Sequence, residues 1–307
     1  MNHNVCMGTG KAVARWAVRL QELGNIRMAS EPTKSQCSLL LLVATPAEEE
    51  ALQEAATAHG IPFEKIKARD SALEEDFSWL GNVGNETVIA MRPARTNEHR
   101  LVMGSIGLLG TAARGIRLRR ATGAQSIVQL GMAFGIDSSK QNAGDVLIST
   151  SIIPYDNRDV KPARRSWMHR QMCGDAYITD YHQAVREQAR PALVELFRRE
   201  SVRGVRRFNV YMGALLSGAA RIHCHTFRDE LVRGVPPGED PIIGGEMEGV
   251  GLLAASIATD DPIWCIVKGI SDFADEGRDS VIEANRPIAC RNAAEFLLAA
   301  LQNEVSN

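Results

Sequence analysis

Apolar segments typical of strands alternate with amphipathic segments typical of helices along most of this sequence, and this alternation predicts an α/β fold. Segments rich in Val, Ile and Leu predict strands at 38–45, 86–93, 126–133, 145–150, 210–217 and 263–271. Apolar residues recurring at three and four predict helices at 47–59, 104–122, 180–201, 246–259 and 288–302. Because no internal repeat or long linker interrupts the pattern, we expect one domain over 36–307, with a mixed central sheet flanked by helices.

The first 35 residues differ from the rest of the chain. They are rich in basic residues and poor in acidic ones, with apolar residues at helical spacing between positions 13 and 20. This pattern predicts an N-terminal extension, either flexible or folded into a short basic amphipathic helix.

Charge and cysteine content point to a small-molecule partner in the cytoplasm. The 35 basic and 37 acidic residues give a net charge of −2, which provides no reason to expect binding to nucleic acid or to an acidic membrane. The apolar runs are far shorter than the roughly 20 residues that cross a bilayer. Six scattered cysteines without CxxC spacing indicate reduced thiols.

Ligands of α/β sheets bind beyond the carboxyl ends of strands, so the predicted strand ends are the places to search for chemistry. Glu48 follows the first strand, glycines crowd MGSIGLLG (103–110) and LGMAFG (130–135), and Asp272 ends the last strand in VKGISDFAD. Each acid also has a purely structural interpretation. Glu48 is suited to complementing a helix dipole, and Asp272 is suited to capping a helix.

Taken in order, the motifs TPxE, GxxGxxG, GMAFG with GDVLIS, LLSG, GGEMEG and KGISDFAD resemble the purine nucleoside phosphorylase and methylthioadenosine/S-adenosylhomocysteine nucleosidase superfamily. The resemblance covers roughly residues 38–301, and EMEG (246–249) and ISDFAD (270–275) are its most specific parts. It implies a single-domain nucleoside phosphorylase-like fold, a homo-oligomer, and cleavage of the N-glycosidic bond of a purine nucleoside.

The resemblance also assigns roles to residues of the last two motifs. Asp272 matches the acid that serves the leaving purine, and Ser271 is its neighbour in the site. Glu248 matches the carboxylate that accepts hydrogen bonds from the ribose hydroxyls, and Met247 matches the residue that packs against the sugar. A buried carboxyl and a negative group near the ribose suit a reaction in which the sugar becomes positively charged.

Earlier motifs supply the remaining predicted contacts. Glu48 matches the acid that orients the attacking water, with Glu50 as the alternative if the alignment slips by two positions. Ile222 matches the residue whose backbone binds the adenine edge. Arg221 precedes it, where the nucleosidases carry an aromatic residue, so the identity of the base stays open.

The nucleophile is the second open question. Met132, Phe134 and Gly135 form the glycine-rich strand end, and this end matches neither the phosphorylase nor the nucleosidase pattern. Three arginines lie where they could bind phosphate, either as co-substrate or on a nucleotide such as AMP or ATP: Arg92, Arg95 and Arg100.

Glu48 favours hydrolysis, which makes the protein a purine nucleosidase acting on an adenine-type nucleoside or nucleotide. The alternatives are a phosphate-dependent phosphorylase and a catalytically silent nucleoside sensor. The chemistry requires no metal and no organic cofactor. The adjacent His223, Cys224 and His225 lack a further ligand motif for a metal.

Overall fold

The computed structural model describes residues 34–70, 73, 75–93, 104, 110–163, 177–181, 185–256 and 262–304. These residues belong to one compact unit, Lys34–Asn307. The predicted N-terminal extension lies outside the described residues except for its last two positions. Within the described ranges, no helix has both the length and the apolar composition needed to span a membrane.

The strands include all six that the sequence predicts, together with shorter ones. Their bounds are β1 Leu39–Leu42, β2 Glu64–Ile66, β3 Phe77–Val83, β4 Glu86–Met91, β5 Ser126–Gly135, β6 Val146–Pro154, β7 Asp159–Pro162, β8 Tyr177–Asp180, β9 Glu187–Gln188, β10 Val210–Ser217, β11 Ile242–Glu246 and β12 Trp264–Asp272.

Ten strands form one mixed sheet in the order β11-β10-β6-β12-β5-β1-β4-β3-β2, with β9 paired to β6. Strand β1 runs parallel to both β4 and β5, and its four leucines are buried, as expected for a strand covered on both faces. Strand β11 pairs with β10 and also, in the antiparallel sense, with β5. This second pairing closes β11, β10, β6, β12 and β5 into a ring. The prediction of a mixed central sheet is confirmed.

Helices flank the sheet. Their bounds are α1 Pro46–Ala58, α2 Thr111–Thr122, α3 Pro191–Ser201, α4 His225–Gly234, α5 Val250–Ser256 and α6 Arg278–Asn303. Helix α6 packs against β12, α1 and α3, and its buried apolar residues belong to the main core.

Four predicted helix starts are wrong. The predicted helix 104–122 begins at Thr111, with Gly110 as its N-cap residue, and Gly104 is not helical. The predicted helix 246–259 begins only at Val250, because Glu246 still belongs to β11. The predicted helix 180–201 begins at Pro191, because residues 177–180 and 187–188 are extended strands. The predicted helix 288–302 begins instead at Arg278, ten residues earlier. Pro287, which usually marks a helix boundary, lies inside helix α6.

Candidate active site

Several strand ends meet at a cavity of about 610 Å³, a size suited to a small-molecule ligand. Segments that follow β1 and β10 line it, together with the ends of β5, β11 and β12. The structure places nine of the predicted site residues on its wall: Glu48, Glu50, Met132, Phe134, Ile222, Met247, Glu248, Ser271 and Asp272.

Glu48 is fixed by the start of α1. Thr45 and Glu48 form a capping box, in which the Glu48 Oε2 accepts hydrogen bonds from the amides of Ala44 (2.6 Å) and Thr45 (2.8 Å). Its Oε1 accepts a bond from the Met132 amide at 3.2 Å, which ties α1 to β5. Gly131 lies so close that a Cβ there would collide with the carboxylate. Burial raises the pKa of Glu48, while the positive charge of Lys268 opposes that rise.

Glu246 and Glu248 are joined by a buried lysine. The Lys268 Nζ lies 2.9 Å from Glu246 Oε2 and 2.6 Å from Glu248 Oε2. Glu246 also accepts hydrogen bonds from the amides of Glu248 and Gly249, each at 2.9 Å, so it shapes the turn that presents Glu248 to the cavity. Gly249 permits this turn, since a Cβ there would approach the Glu246 carboxylate within 2.6 Å.

Glu248 keeps acceptor capacity for a ligand. Its Oε1 accepts one hydrogen bond from the Gly104 amide at 3.2 Å, and its Oε2 accepts one from Lys268. Because each carboxylate oxygen can accept two hydrogen bonds, both oxygens of Glu248 remain able to accept another from a sugar hydroxyl.

Lys268 is the residue that the sequence analysis missed. Burial alone would lower its pKa, but the negative charges of Glu246, Glu248 and Glu48 raise the pKa above the usual lysine value. Burial alone would raise the pKa of Glu246, but the charge of Lys268 and the hydrogen bonds from Ser217, Lys268 and the Glu248 amide together lower it. A lysine inside the apolar strand WCIVKGIS was the available signal, because a buried lysine requires acidic partners.

A bulge at the end of β12 aims two adjacent side chains into the cavity. The register between β12 and β5 shifts between Ile270 and Asp272, leaving Ser271 unpaired. The Ser271 hydroxyl lies 2.8 Å from Asp272 Oδ2, and the Ala274 amide donates to Asp272 Oδ1 at 3.0 Å. Asp272 is therefore buried and oriented, with Arg278 Nε 3.5 Å from its Oδ1.

Of the other predicted residues, Gly135 and Arg92 are described and do not line the cavity. Gly135 pairs with Gly244 across the strand ends, where a Cβ would crowd Phe273 and Gln141. Arg92 donates to Glu49 at 2.7 Å and is not among the residues lining the cavity. Arg95 and Arg100 lie outside the described residues.

The histidines beside Ile222 lie close to acids near the start of α6. His223 Nδ1 lies 3.5 Å from Asp279, and His225 Nδ1 lies 2.8 Å from Glu276. No group of three or more His, Cys, Asp or Glu side chains with metal-binding geometry occurs in the part of the chain that the structure describes.

Comparison with known proteins finds relatives that are named as nucleosidases. The chain is 26% identical over 92% of its length to a death domain-containing ATP nucleosidase of Amphimedon queenslandica, and it spans about half (51%) of that protein. It is 24% identical, over 61% of its own length and 74% of the relative's, to a 5′-methylthioadenosine/S-adenosylhomocysteine nucleosidase of Mycobacterium bovis.

Solved structures show the same fold at low sequence identity. The corresponding nucleosidase of Neisseria meningitidis, in complex with methylthio-immucillin-A, superimposes with a TM-score of 0.62 at 18% identity, covering 86% of this chain and 98% of that one. Futalosine hydrolase of Helicobacter pylori superimposes with a TM-score of 0.60 at 18% identity, covering 87% and 97%. A model of the phosphorylase superfamily matches residues 38–302. The chain therefore belongs to the phosphorylase superfamily, the family of nucleoside phosphorylases and nucleosidases that its motifs resemble.

Proposed function

We propose that this protein hydrolyses the N-glycosidic bond of an adenine-type purine nucleoside or nucleotide. The observation that carries the proposal is that Glu48, Glu248 and Asp272 line one cavity. The relatives named as nucleosidases of ATP and of methylthioadenosine and S-adenosylhomocysteine support the adenine type of substrate.

In the proposed reaction, the bond between the anomeric carbon and the purine breaks first, and positive charge develops on the ribose. Asp272 shares a proton with the leaving base, and Glu248 accepts hydrogen bonds from the ribose hydroxyls. Water attacks the anomeric carbon and passes a proton to Glu48. The raised pKa of Glu48 suits this role, because it makes the carboxylate a better proton acceptor.

Water is the proposed nucleophile because Glu48, a carboxyl able to accept a proton from it, lines the cavity together with Glu248. Arg92, which the sequence suggested as a phosphate contact, is held by Glu49 away from the cavity wall. Phosphorolysis is the competing function, and the test below separates the two.

We further propose that residues 36–307 form the catalytic domain and that the protein works as a cytoplasmic homo-oligomer. The cysteines among the described residues are unpaired, as expected in a reducing compartment: Cys37, Cys224, Cys265 and Cys290. Apolar side chains exposed on β7 and β8, those of Val160, Tyr177 and Ile178, offer surface for association. Light scattering after size-exclusion chromatography measures the mass; a monomer would contradict the oligomer.

Chromatography of purine nucleosides and nucleotides after incubation with the protein, with and without phosphate, tests the function. We expect free base without phosphate. The Asp272→Asn variant should lose at least about 100-fold in kcat, the usual scale of general acid catalysis, and keep the wild-type circular dichroism spectrum.

Asp275→Asn is the matched control, because Asp275 lies in the same segment but does not line the cavity. It should retain wild-type turnover. Base released only with phosphate, together with ribose 1-phosphate, would establish a phosphorylase instead. Turnover retained by Asp272→Asn would remove Asp272 from the mechanism.

A further inference from the structure

The cavity wall carries three arginines to which the proposed reaction assigns no role. Among the described lining residues, the cationic side chains are those of Arg221, Arg278 and Arg286. A neutral 5′-substituent would give them nothing to bind. An arginine has five donors in a planar fork, which matches the oxygen atoms of a phosphate group.

Two of the arginines lie on one face of α6. Arg278 and Arg286 are eight residues apart, which corresponds to about 12 Å along the helix axis. Ile282 lies midway between them at a spacing of four and is buried. The start of α6 therefore presents a row of arginine, isoleucine and arginine on the side that meets the cavity.

Arg286 has donor capacity that the described protein atoms do not satisfy. Its Nε is buried and has no hydrogen-bond partner in the described part of the chain. A guanidinium is charged at all accessible pH values, and a buried donor without a partner destabilises the protein by its full desolvation cost. Turning of the guanidinium toward a bound anion removes that cost.

The carboxylates of the cavity do not fill this role. Glu246 and Glu248 are paired with Lys268, and Glu48 accepts hydrogen bonds from backbone amides. Glu50 lies on the exposed part of the wall. Arg278 approaches Asp272 through its Nε and donates from Nη1 to the exposed Asp279 at 3.3 Å, so Nη2 is the terminal nitrogen that remains for another partner.

We propose that the substrate is a purine nucleotide and that Arg286, together with Arg278 and Arg221, binds its 5′-phosphates. The inference rests on the proposed N-glycosidase function and deepens it, because it names the chemical class of the 5′-substituent. A substitution of Arg286 is the sharpest test of a charged against a neutral 5′-substituent. Arg278 also contacts Asp272, and Arg221 is exposed.

The test compares kcat/KM for adenosine, S-adenosylhomocysteine, AMP, ADP and ATP in phosphate-free buffer. We expect at least one adenine nucleotide to exceed adenosine by about 10-fold or more, the scale of one or two charge-assisted hydrogen bonds. S-adenosylhomocysteine distinguishes phosphate from a carboxylate at the 5′ end. Equal or better cleavage of adenosine or S-adenosylhomocysteine would overturn the inference.

Arg286→Gln should lower kcat/KM for the preferred nucleotide by about 10- to 100-fold and leave that for adenosine within about twofold. Arg286→Lys should recover part of the loss, and it serves as the test variant if the glutamine variant does not fold. Arg291→Gln is the matched control, because Arg291 lies on the same helix but pairs with Glu54 at 3.8 Å and does not line the cavity.

Three results separate the explanations. Equal loss for nucleotide and nucleoside in Arg286→Gln would make Arg286 a structural residue. Loss confined to a phosphate-stimulated rate with adenosine would make the arginines a site for inorganic phosphate. If no compound releases base, the proposed function fails, and calorimetry then decides the inference: ATP must bind at least about 10-fold more tightly than adenosine, and equal affinities would overturn it.

Discussion

Replacement of Lys268 by methionine removes the ammonium between Glu246 and Glu248 and leaves two buried carboxylates without their cation. Breaking a buried ion pair in this way typically costs about 3–5 kcal/mol. We expect the free energy of unfolding, measured by urea denaturation, to fall by that amount in Lys268→Met.

Lys65→Met is the control for this experiment. Lys65 is half exposed and lies 3.6 Å from Glu49, so its removal should cost less than about 1 kcal/mol. If both variants lose the same small amount, the buried network does not contribute to stability as the geometry indicates.

Glu48 determines how the activity should depend on pH. Burial raises its pKa above the usual 4.5, so the folded protein favours the protonated carboxyl more than the unfolded chain does. Ionisation of Glu48 therefore lowers the free energy of unfolding as the pH rises from 4.5 through the raised pKa. The lost stability returns as the pH falls back over the same range. The proposed reaction needs the ionised form, so activity should be lost over the same range.

The measurement is kcat/KM against pH with a neutral nucleoside, so that no substrate phosphate titrates in the same range. We expect the acidic limb of the profile to lie above pH 4.5. An acidic limb at or below that value would mean that Glu48 does not act as the proton acceptor.

The site was predictable from the sequence where a motif fixes both spacing and chemistry, as for Glu48, Glu248 and Asp272. Lys268 was missed although it stands in the quoted strand-end motif, because its role depends on two carboxylates that are 20 and 22 residues away in sequence. Arg286 was missed because the predicted helix began after Pro287. Which side chains face a cavity depends on helix packing, and the sequence alone does not determine that packing.

At the scale of elements, the contact between α6 and β12 leaves no room for an added methyl group. Gly269 lies in β12, and a Cβ there would overlap the backbone of Ala289 in α6. Gly269→Ala should therefore lower the free energy of unfolding by about 3 kcal/mol. It should also lower kcat, since α6 carries Arg278 and Arg286.

Gly204→Ala separates crowding from backbone strain. Gly204 has a φ of +65°, and the Cβ of an alanine there would have no other atom within 4 Å. Gly204→Ala should therefore lower the free energy of unfolding only by the backbone strain, about 1 kcal/mol. A Gly269→Ala loss no larger than this would show that α6 can move away from the sheet without penalty.

Strands were predicted better than helix ends, and the reason is local. Six strands carry long apolar runs that are unambiguous in sequence, whereas β11 is IIGGE and lacks that signal. Apolar residues recur through GGEMEGVGLLAAS, so the sequence pattern predicts a helix that begins as early as Glu246. The pairing of Gly244 and Gly245 with β5 keeps this segment extended. The paired residues lie more than a hundred positions apart in the sequence, so a local pattern does not predict the pairing.

At the scale of the whole molecule, ligand binding should stabilise the fold, because the cavity joins segments from residue 44 to residue 286. ATP at 100 times its Kd should add about 2.7 kcal/mol to the free energy of unfolding of the Asp272→Asn variant, which is expected to turn it over at least about 100-fold more slowly. The Tm should rise by about 5 °C in a thermal scan.

CTP is the control ligand, since it carries the same phosphates on a pyrimidine. It should raise the Tm less than ATP does. An equal rise would show that the cavity does not distinguish the base, and it would contradict the purine assignment.

The ring formed by β11, β10, β6, β12 and β5 sets an order of events during synthesis of the chain. Strand β11 must reach β5 from more than a hundred residues away, and β12 and α6 follow it in sequence. Loop closure over such distances makes late contacts slow to form. Asp272 and Arg286 leave the ribosome after nearly all other elements, so a growing chain has no complete cavity. We expect a cell to meet the proposed activity only after β12 and α6 have been synthesised and have folded onto the earlier strands.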